Sequence, residues 1–165
     1  MMIRVAVEAD FEGLLQLAGQ VEKWFGPMVK EEGFHEALRT HLRRGTALVA
    51  LTTEPDPFTA GRPENGPVLG GLLYDDRGPV HHVDWLVVSQ EARVGGVGRA
   101  LMTAATQRFA QEPVTVEVIT FGADHPGAAR SGARVFYERL GFTPAERTSP
   151  GPEGGSRQVY RREAV

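Results

Sequence analysis

The strongest constraint on this chain comes from residues 83–102, VDWLVVSQEARVGGVGRALM, where an apolar run leads through a glycine-rich turn into a helical pattern. Gly95, Gly96 and Gly98 lack a Cβ, so the backbone of the turn can adopt positive φ and approach a ligand closely. The first N–H groups of the following helix have no partner within that helix, and its dipole favours an anion beside them. The segment therefore predicts a strand, a turn and a helix that bind a phosphate or pyrophosphate group.

Two common phosphate-binding motifs do not fit this turn. The dinucleotide fingerprint needs a glycine or alanine where the chain has Leu101, and the Walker motif needs a Gly-Lys-Ser/Thr that does not follow. The remaining pattern, RVGGVG at residues 93–98 after Leu86-Val87-Val88, closely resembles motif A of the GCN5-related N-acetyltransferases (the GNAT family). Taken alone, the turn could also be a tight strand-to-helix connection without a ligand.

A second segment strengthens the resemblance. Residues 133–144, ARVFYERLGFTP, are similar to motif B of the same family, with Tyr137 four residues ahead of Gly141 and Phe142. The alternative interpretation is a core helix that ends at a left-handed glycine. Because the two motifs occur together and in the family's order, the chain is identified as a GNAT-like protein.

The resemblance implies a fold and a set of cofactor contacts. The fold is α/β, a GNAT-like acyl-CoA N-acyltransferase with a mixed, mostly antiparallel sheet, a splayed central strand pair and flanking helices, in one acetyltransferase domain over residues 1–165. Acetyl-CoA is the implied cosubstrate: the Leu86 N–H would meet the thioester carbonyl, and the Val88 N–H and C=O would pair with the pantetheine arm. The full implied set of cofactor-binding residues is Leu86, Val87, Val88, Arg93, Val94, Gly95, Gly96, Val97, Gly98 and Arg99.

The resemblance also suggests catalytic residues. Tyr137 would give a proton to the departing thiolate, and His82 and Asp84, four and two residues before Leu86, would serve as base or proton relay. His82 and Asp84 share strand parity, so both can face one side of the sheet. Glu117 on the adjacent strand is a weaker candidate. Each of these side chains could instead have a structural role in the core or in the strand.

The acceptor is less constrained. Trp24 and Phe25 fall between two early helices, where the resemblance places an acceptor-facing loop, although a hydrophobic staple between the helices explains them equally well. Asp75, Asp76 and Asp84 hint at a cationic acceptor. The preferred function is transfer of an acetyl group to the primary amine of an unidentified, small-molecule acceptor by direct attack in a ternary complex. A non-catalytic acyl-CoA sensor and a protein N-terminal acetyltransferase remain the alternatives.

Composition narrows the remaining possibilities. The chain has 165 residues with 41% hydrophobic content, as expected for one domain, and a net charge of −3 argues against nucleic acid as a partner. Cysteine is absent, and no histidine spacing suggests a metal site, so we expect direct attack without an acyl-enzyme and no metal. The sequence lacks a signal-like start and a membrane-length apolar run, so a cytoplasmic location is expected. A homodimer is left open.

Periodicity and turn residues predict the order of the elements. Strands are expected at residues 3–7, 46–52, 68–74, 80–88 and 114–121, then at Phe142 and near 158–160. Helices are expected at 11–24 with Asp10 as cap, 31–44, 97–110 and 129–140. Residues 53–67 are predicted to form a long surface loop. Asp124 and Pro126 favour a helix start over a catalytic Asp124-His125 dyad.

Overall fold

The structure, a computed structural model, describes residues 1–52, 68–92 and 95–163, without the side chains of Trp24 and Glu91. The described chain contains seven strands, β1 Met2–Val5, β2 Ala47–Leu51, β3 Val68–Asp75, β4 Val80–Val88, β5 Thr115–Phe121, β6 Thr143–Thr148 and β7 Arg157–Arg162. Its α-helices are α1 Phe11–Gly19, α2 Glu22–Phe25, α3 Glu32–Arg44, α4 Val97–Phe109, α5 Pro126–Ser131 and α6 Ala133–Arg139. The predicted loop at residues 53–67 lies outside the described residues.

The strands form one sheet in the order β1-β2-β3-β4-β5-β7-β6. All neighbours are antiparallel except β4 and β5, which run parallel. One face packs on α4 and α6 through a core that includes Leu72, Leu101 and Tyr137, and the other face packs on α1 and α3 through Leu14 and Leu38. The predicted α/β fold with a mixed, mostly antiparallel sheet is confirmed.

The centre of the sheet is splayed. β4 and β5 pair only from Val80 with Thr115 to Val83 with Val118, and the rest of β4 is held by β3 alone. A β-bulge lies where the pairing stops: Tyr74 pairs with Val83 and Leu73 with Trp85, so Asp84 is the extra residue. Because a bulge bends its strand and increases the local twist, it separates this end of β4 from β5.

The first helical region differs from the prediction. Instead of one helix over residues 11–24, α1 ends at Gly19 and the four-residue α2 follows. Asp10 does not cap α1 with its side chain, because its carboxylate accepts hydrogen bonds from the Arg4 guanidinium at 2.7 and 2.9 Å and from the Val7 N–H at 2.8 Å. A bidentate, charge-assisted pair with arginine is stronger than a neutral cap bond.

The predicted helix over residues 129–140 is two helices. Gly132 adopts φ of +67° between α5 and α6, which breaks the helical path. The predicted helix start near residue 126 is present, but its cap is His125, whose Nδ1 accepts from the Gly127 N–H at 2.8 Å. Asp124 instead accepts a hydrogen bond from the Ser156 hydroxyl at 2.5 Å.

Candidate active site

The glycine-rich turn is open at the N-terminus of α4. Gly96 adopts φ of +75°, and a Cβ placed on it would meet no atom within 4 Å. The first helical hydrogen bond runs from the Ala100 N–H to the Gly96 carbonyl at 3.0 Å. The N–H groups of residues 97–99 precede that bond, and no backbone carbonyl of the described residues accepts from them, so they can bind an anion at the helix end. Arg93 and Val94, the other predicted members of the turn, lie outside the described residues.

A cavity of about 550 Å³ lies between the start of α4, the end of β4 and the helix α6, and we call it the α4–α6 cavity. Gly98 lines this cavity. Close packing requires a glycine there, because an added Cβ would lie 3.1 Å from the Phe136 ring. Two exposed cations, Arg99 and Arg139, also line it. An open helix N-terminus with two arginines beside it suits a polyanionic ligand such as the diphosphate of a coenzyme.

The backbone of β4 turns its free hydrogen-bonding groups toward the gap. The Ser89 N–H bonds to the Leu69 carbonyl, and in an antiparallel ladder every second residue bonds to the partner strand. In this register Val87 faces β3, while Leu86 and Val88 turn their N–H and C=O groups to the opposite side. On that side β5 has already separated, so these groups can pair with an added extended chain.

A second cavity, of about 260 Å³, opens in the splay between the strands, and we call it the β4–β5 cavity. Its lining includes His82, Asp84 and Glu117 together with apolar side chains, the Thr120 hydroxyl and the Arg157 guanidinium. The two cavities share the lining residues Phe25, Leu86, Val87, Ala133 and Tyr137. A ligand in one cavity can therefore meet a ligand in the other at Leu86 and Tyr137.

Tyr137 sits where the cavities meet. It is 6% exposed, and its ring lies edge-on to Phe136 and Phe142 at centroid distances of 5.1 and 5.6 Å. Burial raises the pKa of the Tyr137 hydroxyl well above its ordinary value, because the phenolate would lose its hydration. The hydroxyl therefore stays protonated at neutral pH and can act as a proton donor.

His82 has a carboxylate partner across the strand pair. Its Nε2 lies 3.6 Å from Glu117 Oε2, and Glu117 is held in turn by Arg161 at 2.7–2.8 Å. Its neighbour His81 points to the other face, where Nδ1 lies 2.9 Å from the Tyr74 hydroxyl. The two adjacent histidines therefore lie on opposite faces of β4.

Asp84 meets a histidine that the sequence did not single out. His41, at the end of α3, places Nε2 at 3.0 Å from Asp84 Oδ2 and Nδ1 at 2.7 Å from Thr46 Oγ1. Asp84 comes 43 positions later in the chain, so no local pattern connects them. The helical spacing of α3 could have indicated that His41 is buried, because His41 falls between Leu38 and Leu42 on the apolar face of the helix.

Phe25 of α2 lies over the gap between β4 and β5. Its ring stacks on Phe121 of β5 with centroids 4.7 Å apart, and it lines both cavities. Pro152 of the β6–β7 connection packs close to Gly26, where an added Cβ would lie 3.2 Å from it. Phe25 thus lies where the two cavities meet, and the side chain of Trp24 lies outside what the structure describes.

The described residues contain no group of three or more His, Asp or Glu side chains arranged to hold a metal ion. Within the same residues, no helix has the length and apolar content needed to cross a bilayer.

A family model described as acetyltransferase (GNAT) domain matches residues 59–144, more than half of the chain. The chain belongs to the GNAT acetyltransferases. The recognition made from motifs A and B is confirmed, and the family's acyl donor agrees with the predicted cosubstrate, acetyl-CoA. A search of curated proteins finds no significant match.

Solved structures show the same GNAT fold at low sequence identity. Ard1 from Thermoplasma volcanium is 18% identical with a TM-score of 0.72, covering 99% of this chain and 97% of its own. The ribosomal-protein-alanine N-acetyltransferase from Brucella melitensis is 20% identical with a TM-score of 0.71 and 99% coverage of both chains. The NatC complex bound to Gag peptide and CoA gives 14% identity, a TM-score of 0.72 and coverage of 99% and 98%.

Proposed function

We propose that this GNAT protein transfers an acetyl group from acetyl-CoA to the primary amine of a small-molecule acceptor within a ternary complex. The observation that carries the proposal is the meeting of the two cavities at Leu86 and Tyr137. The α4–α6 cavity offers the helix N-terminus and arginines that suit a coenzyme. The β4–β5 cavity offers titratable side chains at the place where an amine would arrive.

Acetyl-CoA would supply the thioester whose carbonyl carbon the amine attacks. The N–H groups at the start of α4 and the Arg99 side chain would hold the diphosphate, and the Val88 backbone would pair with the pantetheine arm. The Leu86 N–H would donate to the thioester oxygen as negative charge develops there. Such a preorganised donor in a site that excludes water is worth several kcal/mol, about 3–4 for one donor.

Proton transfers complete the reaction. An aliphatic ammonium of pKa ~10.4 must lose its proton before attack, and His82 would accept one proton from the amine, with Glu117 stabilising the imidazolium. As the carbon–sulfur bond breaks, Tyr137 would donate its hydroxyl proton to the leaving sulfur. The attacking nitrogen, positively charged once its bond to carbon has formed, would lose its second proton, and that proton would return through solvent to the Tyr137 oxygen. Burial raises the pKa of the Tyr137 phenol, so the hydroxyl carries its proton at neutral pH when the thiolate leaves.

A peptide N-terminus is the second candidate acceptor. The structural neighbours include a ribosomal-protein-alanine N-acetyltransferase and a complex with a bound peptide, both at high TM-score. The β4–β5 cavity of about 260 Å³ is better matched to a small molecule or to the first one or two residues of a peptide.

The experiment is a free-thiol release assay with acetyl-CoA against a panel of small amines and short peptides. Turnover with any small amine supports the proposal. Turnover with peptides alone, with the acetyl group located on the α-amine by mass spectrometry, supports the second candidate. Tight acetyl-CoA binding in calorimetry with no thiol release across the panel would overturn both and favour a sensor.

A further inference from the structure

His41 is fixed on both of its ring nitrogens. Its side chain is only 11% exposed, with Nδ1 at 2.7 Å from Thr46 Oγ1 and Nε2 at 3.0 Å from Asp84 Oδ2. Thr46 is itself held, because its N–H bonds to the His41 carbonyl and its own carbonyl accepts from the Tyr74 N–H. A ring rotation would break both side-chain hydrogen bonds at once, so His41 presents Nε2 to Asp84 in one orientation.

Asp84 needs such support because of its place in the sheet. It is the extra residue of the β4 bulge, beyond the last pair that β4 makes with β5, so the ladder does not fix its backbone as it fixes that of Val83. Its side chain is 41% exposed and lines the β4–β5 cavity. The buried imidazole is therefore what fixes the direction of this carboxylate.

The second carboxylate of the cavity already has a cationic partner. Glu117 is 20% exposed, and its Oε1 accepts a hydrogen bond from Arg161 Nε at 2.8 Å, with Arg161 Nη2 at 2.7 Å. Across residues 1–52, 68–92 and 95–163, the side chain within hydrogen-bond distance of the Asp84 carboxylate is that of His41. Asp84 is thus the cavity carboxylate without an arginine partner among these residues, and its Oδ1 has hydrogen-bonding capacity left for a cation.

We infer that His41 is a positioning residue that holds the Asp84 carboxylate in the β4–β5 cavity as the binding group for a cationic acceptor amine. The inference rests on the proposed function and adds a substrate class to it. The His41 Nε2–H would donate a hydrogen bond to Asp84 Oδ2, and His41 Nδ1 would accept a hydrogen bond from the Thr46 hydroxyl. Asp84 Oδ1 is then left for the ammonium group of the acceptor. His82, two residues earlier on β4, would remain the group that accepts the proton.

Kinetics with butylamine as acceptor test the inference. Asp84→Asn and His41→Leu should each raise KM for butylamine roughly 10- to 100-fold, the range for losing a hydrogen bond to a charged group. The affinity for acetyl-CoA should not change, and kcat at saturating amine should stay within about threefold. His41→Gln keeps an N–H donor toward Asp84 and should restore most of the KM, while Thr46→Val should give a smaller rise.

The double variant distinguishes positioning from a general structural defect. Because His41 acts through Asp84, combining Asp84→Asn with His41→Leu should be no worse than Asp84→Asn alone. The inference would be overturned by any of three results: additive effects of the two substitutions on KM, a His41→Gln variant as impaired as His41→Leu, or an equal rise in KM for butylamine and for acetyl-CoA.

A binding measurement covers the case of no turnover. The ring signals of His41 in the CoA-loaded protein should shift in NMR titrations with butylamine, not with 1-butanol, and not in Asp84→Asn. No response to butylamine overturns the cation site. A response without thiol release from any amine contradicts the transferase instead, so the two failures are distinguishable.

Discussion

The two halves of β4 have different partners and different uses. From Val80 to Val83 the strand pairs with β5, and His82 and Val83 pair with β3 as well. The side chain of Val83 is buried in the core. From Asp84 to Val88 it is bonded only to β3, and its other edge faces the two cavities. A strand in the middle of a sheet can thus be structural at one end and offer free backbone donors at the other.

The largest expected effect comes from closing the turn that follows the splayed half. Gly96→Glu should abolish acetyl-CoA binding, because a side chain and a negative charge would enter the space at the helix N-terminus. Calorimetry with acetyl-CoA measures this. Gly45→Ala is the matched control for backbone strain. Gly45 lies at the end of α3, away from the glycine-rich turn in the sequence, and it is also left-handed, with φ of +72° and no atom within 4 Å of an added Cβ. Retained affinity in Gly96→Glu would contradict the assignment of the turn.

Removing the proposed proton donor at the junction of the cavities should have the next largest effect. Tyr137→Phe should lower kcat roughly 10- to 1000-fold while acetyl-CoA affinity stays nearly unchanged, because only the hydroxyl is lost. Thermal unfolding serves as the control, since the ring continues to pack on Phe136 and Phe142. An unchanged kcat would make Tyr137 a core residue and no more.

Adjacent histidines on opposite faces of β4 sharpen the comparison. His82→Gln should lower kcat roughly 10- to 100-fold with little change in stability, because its side chain lines the β4–β5 cavity and is 45% exposed. Steady-state rates with the best amine of the panel give the result. Wild-type rates in this variant would remove His82 from the proton path.

His81→Gln should have the smallest effect, and the effect should be on stability, not on kcat as for His82→Gln. Burial raises the pKa of Tyr74 to about 12, so its hydroxyl stays protonated and shares a hydrogen bond with His81 Nδ1 at 2.9 Å. Disturbing that bond should cost about 1 kcal/mol of unfolding free energy, read from urea melts, and leave kcat unchanged. A loss of activity without a loss of stability would mean that the two faces of β4 are not functionally separate.

Local signals explain what could be predicted from the sequence. The bounds of β4 and the start of α4 agree with the prediction, because an apolar strand and a run of glycines are encoded within a few residues. Two of the helix predictions were too long. Val21 continues the apolar stripe of α1, so the break after Gly19 has no sign in the hydrophobic pattern, whereas Gly132 was a signal that could have marked the end of α5.

The site was predictable only where motifs carry it. The roles proposed for the Leu86 and Val88 backbone groups depend on the register with β3 and on the end of pairing with β5, which periodicity does not encode. The contact of His41 with Asp84 depends on how α3 crosses the sheet. Such contacts between distant parts of the chain come from the assembled fold, and a single sequence gives no sign of them.

The most direct test of the account is a crystal structure of the protein with acetyl-CoA. We expect the diphosphate at the N–H groups of Val97 and Gly98, the pantetheine arm along Val88, and the thioester oxygen within hydrogen-bond distance of the Leu86 N–H. A coenzyme bound elsewhere, or a glycine turn that stays empty at saturating acetyl-CoA, would contradict the claim that the splayed half of β4 is the site of transfer.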